Sequence, residues 1–321
     1  MITWGINALN HDASIAVVKD GELIFWKRSS EYTNVVGDQF LCRQLIQDAT
    51  KAGGCHPNEV VWYENAWLKK TRQLYAGQYR WAFSYSELPK VYLKKLKIKY
   101  RKFKYVPHHL SHAAAGYLTS PFKNAVIVVL DALGEWESST IWYARGRTFE
   151  KVWSRKYPTS LGLFYSAFTD LIGLKPISEE HELQKLSDQG NPTRYKLLVK
   201  DFWTSDWQLR QNLHKGVRDW KGYFQYSDRA DVAAAVQEVF EKQAQKVFDI
   251  AKEYSDNLVY MGGCAMNSKF NKKLENQFKG IWSLPVPGDS ASAIGCALYS
   301  QNTRIEWKGS LAKHIKIKYN N

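Results

Sequence analysis

The first twenty-six residues alternate short apolar runs with polar turns. Ile2-Thr3-Trp4-Gly5-Ile6, Ile15-Ala16-Val17-Val18 and Leu23-Ile24-Phe25-Trp26 are separated by the polar residues 7–14 and by Lys19-Asp20-Gly21-Glu22. Short runs of strand-favouring residues bounded by Asn, Asp and Gly predict strands joined as hairpins. The layout recurs downstream. Val126-Ile127-Val128-Val129-Leu130 runs into the turn Asp131-Ala132-Leu133-Gly134-Glu135, and residues 139–143, a turn at Gly146 and residues 148–153 follow. Two units of strand, polar turn, strand, turn and strand predict a duplicated α/β architecture. Ligands in α/β folds lie beyond strand ends, where both polar turns fall.

Helical periodicity fills the spaces. Residues 37–52 are amphipathic, residues 107–118 carry Pro near a helix start, and residues 161–172 are apolar and aromatic-rich. Residues 231–254 give the clearest helix, with apolar positions at i, i+3, i+4 and i+7. A strand over 257–261, the Gly262-Gly263 turn and a basic helix around 267–274 come next. A strand over 281–284, the turn Pro287-Gly288-Asp289 and a small-residue helix over 291–300 close the pattern. No Ser/Gly linker divides the chain. Residues 1–125 are expected to form one α/β half and 126–300 a second, with a Trp-rich insertion near 202–226 and a basic tail over 301–321.

Composition narrows the class. The chain of 321 residues is 45% hydrophobic and 24% charged, which is globular rather than disordered. No apolar run reaches eighteen residues, and the N-terminus lacks a basic region followed by a long apolar stretch, so neither a membrane span nor a secretory signal is expected. Cys42, Cys55, Cys264 and Cys296 are scattered, without a CxxC pair, which fits a reducing cytoplasm and excludes a cysteine-only zinc site. The expected protein is soluble and cytoplasmic.

Charge changes the picture more. The net charge is +14, and residues 69–104 hold twelve basic residues against Glu87 alone, a local +11. Eight aromatics are interleaved there, from Tyr75 to Phe103. A basic stripe attracts polyanions and aromatic faces stack on bases, making Lys69, Lys70, Arg72, Arg80, Lys94, Lys95, Lys97 and Arg101 candidate nucleic-acid contacts. The competing reading is a solvated helical surface whose aromatics are core.

Three constellations carry candidate chemistry. In His108-His109-Leu110-Ser111-His112, helical spacing puts His108 and His112 on one face, able to hold one ion, and turns His109 elsewhere. Asp131 and Asp289, each at an expected strand end, complete a nitrogen and oxygen donor set suited to iron(II), manganese or zinc. Either aspartate also fits a turn or helix cap. The turns Gly262-Gly263-Cys264-Ala265-Met266-Asn267 and Pro287-Gly288-Asp289-Ser290-Ala291-Ser292 let backbone N–H groups approach a phosphate, although neither is a Walker A or GxGxxG loop. Asn10-His11-Asp12 sets a histidine beside an acid in the first turn, suited to a general base or an exposed turn. No nucleophile elbow occurs.

In this order the motifs resemble the NodU/CmcH-type O-carbamoyltransferases. The likeness runs through Gly5-Ile6 with His11-Asp12, residues 108–113, residues 130–135 and Ser160-Leu161-Gly162-Leu163-Phe164-Tyr165-Ser166. It continues through Asp231-Val232-Ala233 with Gln237, residues 262–267 and residues 287–289. The resemblance implies an actin- and sugar-kinase-like fold of two related α/β halves. It implies ATP-dependent transfer of a carbamoyl group from carbamoyl phosphate, through a carbamoyl-adenylate, to a hydroxyl, with magnesium a candidate companion of ATP. His108, His112, Asp131 and Asp289 fall on the family's metal ligands, with iron the expected ion. Gly134, Ser160, Gly162, Gly262, Gly263 and Asn267 fall near the nucleotide, and His11 with Asp12 at the reacting group.

Two departures bear on this expectation. Family members carry a further YrdC-type domain, linked to making the carbamoyl-adenylate, beyond the point where this chain reaches Arg304. The expected substitutes are a separate partner forming that intermediate, preformed intermediate, or a different mode of binding carbamoyl phosphate. A family lysine is replaced by Glu182 in Glu180-His181-Glu182-Leu183-Gln184-Lys185-Leu186-Ser187, leaving Lys185 as the candidate nucleotide contact. For the acceptor, the basic aromatic stripe points to DNA, and a 5-hydroxymethylpyrimidine such as 5-hydroxymethylcytosine supplies the primary alcohol that ordinary bases lack. The alternatives are an O-carbamoyltransferase of a small-molecule or sugar alcohol, a tRNA threonylcarbamoyl-transferase-like enzyme, and a catalytically silent nucleotide-binding module.

Overall fold

The computed structural model describes residues 1–217 and 226–307. Two five-stranded sheets share one topology. The first comprises β1 (Ile2–Asn7), β2 (Ser14–Lys19), β3 (Glu22–Arg28), β4 (Glu59–Trp62) and β5 (Lys102–Tyr105), in the order β3-β2-β1-β4-β5. The second comprises β6 (Asn124–Leu130), β7 (Glu137–Arg145), β8 (Thr148–Lys156), β9 (Asn257–Met261) and β10 (Gly280–Trp282), in the order β10-β9-β6-β7-β8. In both, the first strand pairs antiparallel with a hairpin meander on one side and parallel with a crossover strand on the other. This is the duplicated α/β fold that the two sequence units predict. The near-continuous apolar runs of β1 and β6 are buried on both faces, whereas β3 and β8 alternate as outer strands.

Two helices exchange places between the sheets. The His108–Leu118 helix follows β5 but packs on the second sheet, with Gly116 against Val259 and Met261 of β9. The Asp289–Ser300 helix follows β10 but packs on the first, and a Cβ on Gly5 would stand 1.8 Å from the Ala293 carbonyl oxygen. The exchanged helices also touch each other: a Cβ on Gly295 would lie 1.9 Å from Ser111 O and 2.6 Å from Ala115 N. Small residues permit this backbone-to-backbone approach. It brings the first turns of both helices, carrying His108, His112 and Asp289, to one point at the end of β6.

Other differences from the sequence expectation have local causes. The second-half helix is Arg229–Lys252, and the first amphipathic helix is Arg43–Gly53 rather than 37–52. Gly37 adopts φ +69° in the preceding loop, and Cys42 caps the helix by accepting the Leu45 N–H at 3.5 Å. Strands β4 and β5 carry no sequence prediction; each has four residues, and Lys-Phe-Lys-Tyr in β5 reads as part of a charged run. In the Trp-rich stretch, Trp203 is buried in the second-half core and Trp207 stacks on Trp153 at 5.3 Å. Trp220 lies outside the described residues, as do residues 308–321 of the tail. Before them, Trp307 packs edge-on to Trp26 at 6.3 Å. No helix among the described residues is long and apolar enough to cross a membrane.

Candidate metal centre

Asp131 follows the last residue of β6, and one face of the His108–Leu118 helix presents His108 and His112 to it. Asp289, the first residue of its helix, completes the cluster. One donor atom from each of the four lies within 4.8 Å of the others, and all four residues are buried. His108 Nε2 is 3.0 Å from Asp131 Oδ2 and 3.5 Å from Asp289 Oδ1. His112 Nε2 is 3.4 Å and 3.3 Å from the same two oxygens, and the two Nε2 atoms are 3.1 Å apart. Donors about 2.1 Å from a shared ion stand about 3.0 Å apart at right angles and about 3.4 Å apart at the tetrahedral angle. The five separations that involve a histidine nitrogen, 3.0–3.5 Å, fall in or just beyond that interval, and the whole set lies within 4.8 Å. Two imidazole nitrogens and two carboxylate oxygens converging at these distances fit a borderline divalent ion.

Each carboxylate divides its oxygens between the cluster and a fixed support. Asp131 Oδ1 accepts the N–H groups of Ala132 at 2.8 Å and Gly263 at 3.3 Å, leaving Oδ2 to face the histidines. Asp289 Oδ2 accepts from Asn10 Nδ2 at 3.2 Å and lies 3.4 Å from His11 Nε2, leaving Oδ1 inward. Such outer bonds set the rotation of a ligating group. His11 Nδ1 is in turn 3.0 Å from Asp12 Oδ2, so the imidazole bridges the two acids. The buried Asn7 amide closes this turn by donating to the His11 and Asp12 carbonyls at 3.1 and 2.8 Å.

Glu135 joins three segments at the cluster's edge. Its buried carboxylate accepts the Asn65 N–H at 2.7 Å and the His108 N–H at 3.1 Å, capping the His108–Leu118 helix where Pro107 offers no side-chain cap. Its carbonyl accepts from Arg72 Nε at 3.1 Å. Neither Glu135 nor Asn10 carries a role in the sequence expectation, though both flank expected site residues: Glu135 ends the turn that Asp131 begins, and Asn10 precedes His11. His109 turns away, as helical spacing requires, and hydrogen-bonds Thr140 Oγ1 at 3.0 Å.

Electrostatics follow from this crowding. Burial lowers the His108 pKa, but Asp289 and Asp131 outweigh it and lift the group to about 9. His11 likewise reaches about 9, burial being overcome by Asp289 and Asp12. His112 is also raised, against burial, by hydrogen bonds to Asp131 and Asp289. Burial pushes the Asp289 carboxyl up, yet His11, His108 and His112 hold it at about 2. Glu135 is raised by burial.

Five of the seven expected nucleotide residues, Gly134, Ser160, Gly162, Gly262 and Gly263, lie against the cluster histidines or the turn after β6, whereas Asn267 and Lys185 have other partners. Gly262, at φ +91°, turns so tightly that a Cβ would stand 2.3 Å from Leu130 O, and Gly263 is the Asp131 donor. Gly134 packs against His108 and His109, and Gly162 against Ala132. Ser160 caps the Leu161–Leu171 helix through Leu163 N and donates to the Ala132 carbonyl at 2.6 Å. Asn267 caps the Ser268–Leu274 helix and exchanges two amide bonds of 3.0 Å with Gln237, which also accepts from Tyr165. Lys185 is exposed and bonds Glu182 at 2.8 Å.

The basic segment divides in two. Arg72 is buried on Glu135, Lys69 pairs with the buried Glu64 at 2.7 Å, and Lys70 Nζ donates to the carbonyls of Trp81, Ala82 and Ser84 at 2.8–3.1 Å. Arg80, Lys94, Lys95, Lys97 and Arg101 face solvent.

Duplicated sheets and exchanged helices give the chain an actin- and sugar-kinase-like fold, with the candidate ligand cluster where the helices cross. Among solved structures, the activator of the 2-hydroxyisocaproyl-CoA dehydratase from Clostridium difficile with bound ADPNP is similar, with TM-score 0.50, 13% identity and coverage of 94% of this chain and 96% of that one. Component A of the Acidaminococcus fermentans (R)-2-hydroxyglutaryl-CoA dehydratase is similar at TM-score 0.50 and 13% identity, over 94% and 99% of the chains. The family model for the carbamoyltransferase N-terminus matches residues 58–298, and the chain belongs to that family. An uncharacterised protein of Synechocystis sp. is 30% identical over 94% of this chain and 58% of its own length. Nodulation protein NolNO of Sinorhizobium fredii is 24% identical over 92% of this chain and 47% of its own length. The chain spans about half the length of the curated relatives it matches.

Proposed function

We propose that the chain performs ATP-dependent O-carbamoyl transfer, moving a carbamoyl group from carbamoyl phosphate, by way of carbamoyl-adenylate, to a hydroxyl. The observation that carries this reading is the buried two-histidine, two-aspartate cluster beside glycine turns, in a chain of the carbamoyltransferase family. A divalent ion held by His108, His112, Asp131 and Asp289, iron(II) before manganese or zinc, would supply Lewis acidity toward phosphoryl and acyl oxygens. In the transfer step the acceptor oxygen bonds the carbamoyl carbon while the bond to the adenylate phosphate oxygen breaks. His11, oriented by Asp12, receives the hydroxyl proton at Nε2 in its neutral form, which a cation bound beside Asp289 would favour by opposing the raised pKa of the ion-free site. The turns around Gly134, Ser160, Gly162, Gly262, Gly263 and Asn267, with Lys185 at the rim, hold the nucleotide chiefly through backbone N–H groups, since Ser160 and Asn267 spend their side chains on caps. ADPNP bound to the similar C. difficile activator supports nucleotide use.

For the acceptor we propose the hydroxymethyl group of 5-hydroxymethylcytosine, or another 5-hydroxymethylpyrimidine, in DNA. The solvent-facing cations Arg80, Lys94, Lys95, Lys97 and Arg101 support it. The internal use of Lys69, Lys70 and Arg72 favours the second reading, a small-molecule or sugar alcohol, because it removes three cations from the free surface. Nucleoside mass spectrometry separates them. The protein is incubated with carbamoyl phosphate, ATP, iron(II) and hydroxymethylcytosine DNA. Gain of one carbamoyl unit, abolished by His112→Ala, is expected. AMP and pyrophosphate release without modified nucleoside would reject DNA and retain carbamoyl transfer to another alcohol.

A further inference from the structure

The Ala66–Tyr75 helix is inside out. It buries Ala66, Arg72 and Gln73, while Trp67, Leu68, Leu74 and Tyr75 face solvent. The reversal has a local cause: Glu135 draws Arg72 inward, and Asn65 caps the helix with the Trp67 and Leu68 N–H groups. The residues that follow are exposed as well, with Phe83 76% and Tyr85 71% accessible and Tyr79 and Trp81 also open to solvent, and Lys70 ties the two segments together. Eight of the nineteen exposed large hydrophobics among the described residues fall within residues 67–85. At aromatic side-chain sizes the face offers on the order of 900 Å², more than the few hundred Å² a lone monomer ordinarily exposes.

The face is held in shape before anything binds. Lys70 pins the carbonyls of Trp81, Ala82 and Ser84, and Arg80 lies over the Trp81 ring at 5.9 Å. Gln78 bonds His214 at 2.6 Å, and Tyr75 packs on Trp136 at 5.4 Å, tying the segment to the second half of the molecule. Rings presented on a fixed backbone lose little freedom when covered. The covering molecule is constrained by charge. With Lys69, Lys70 and Arg72 occupied internally, residues 69–104 still present exposed cations such as Arg80, Lys94, Lys95, Lys97 and Arg101, so a second copy of this segment would be repelled and a polyanion attracted.

We infer that this face binds single-stranded nucleic acid in preference to duplex, with bases stacked on Trp67, Tyr79, Trp81, Phe83 and Tyr85 and phosphates on exposed cations of the same basic segment, such as Arg80 and Lys94. A duplex keeps its base faces stacked on one another and offers these rings no partner. A single strand, or a nucleotide turned out of a helix, offers both the π-face and the phosphate. The inference rests on the DNA-acceptor reading and assigns the strand state that the acceptor must have.

The test is fluorescence anisotropy with an unmodified twenty-nucleotide thymidine strand and its duplex, at several salt concentrations, so that binding is read without transfer. The single strand is expected to bind at least tenfold more tightly. Phe83→Ala and Tyr85→Ala, both at exposed positions, are expected to weaken it about tenfold each with the salt slope unchanged. Lys94→Ala is expected to reduce the slope by about 0.7. Equal binding of strand and duplex, indifferent to the aromatic substitutions, would overturn the inference. So would an aromatic variant that changes the sedimenting mass but not the oligonucleotide affinity, which would make the face a protein interface. Transfer to hydroxymethylcytosine duplex by such variants at the wild-type rate would refute the platform while leaving the acceptor reading standing. Strand binding as expected, with no transfer to any DNA, would do the reverse.

Discussion

Replacing Gly295 with alanine tests the contact that assembles the centre. A Cβ there would stand 1.9 Å from Ser111 O and 2.6 Å from Ala115 N, both backbone atoms with no rotamer to yield. Ordinary contact begins near 3.4 Å, so the two exchanged helices must part by about 1.5 Å or tilt to the same effect. His108 and His112 ride on one helix and Asp289 on the other, with His112 Nε2 now 3.3 Å from Asp289 Oδ1. Metal–ligand distances tolerate about 0.2 Å, so a displacement several times larger removes Asp289 from the coordination sphere. Overpacking of this kind also costs about 1–3 kcal/mol of stability. Isothermal titration with manganese or iron(II) should give an affinity lower by at least a hundredfold, with a lowered thermal midpoint. Gly288→Ala, where a Cβ meets nothing within 4 Å, is the matched control and should bind as wild type. A Gly295→Ala protein that binds the ion with wild-type affinity and melts at the wild-type temperature would refute this reasoning.

Three further outcomes are expected. Glu135→Gln can keep its oxygen on the Asn65 and His108 N–H groups but sets an NH₂ against the His108 N–H at the Oε2 position and removes the charge at the helix start; urea unfolding should show a loss of about 1 kcal/mol. For pH, the folded pKa of His108 in the metal-free protein is raised to about 9. Its stabilising contribution is therefore complete below about pH 6.5 and lost as pH rises through about 9. The melting temperature of chelated protein should fall across that window while divalent affinity rises, because ligation needs the neutral imidazole; parallel melts with and without manganese at pH 6, 7.5 and 9 check both signs. Lys70→Met removes the ammonium that holds the Trp81, Ala82 and Ser84 carbonyls, and limited proteolysis should then cut near residues 79–85 faster than in wild type.

The halves were readable because hydrophobic pattern and position agreed. β1 and β6 are uninterrupted apolar runs followed by polar turns, and the periodicity of residues 231–254 lies within two residues of the Arg229–Lys252 helix. β4 and β5 escaped because each depends on partners far along the chain, and β5 sits in a lysine-rich run. Within the site, helical spacing predicted that His108 and His112 share a face. Their meeting with Asp289 depends on the Gly295 contact, which no local pattern encodes. The oxygen-by-oxygen support of Asp131 and Asp289 by Gly263 and Asn10 was equally invisible, being tertiary in origin. In the basic segment, sequence counted charges but not their partners. Arg72, Lys69 and Lys70 are occupied inside the molecule, while the aromatics split, with Tyr75, Tyr79, Trp81, Phe83 and Tyr85 exposed and Tyr92 in the core.

The most direct test of the metal centre is the divalent-ion content of purified protein, loaded with iron(II) without oxygen and measured by plasma mass spectrometry beside His112→Ala. One ion per chain in the wild type, falling below a tenth in a variant of unchanged circular dichroism, is the predicted result. A folded wild type that retains no ion, or a variant that retains as much, would contradict the assignment of His108, His112, Asp131 and Asp289 as ligands.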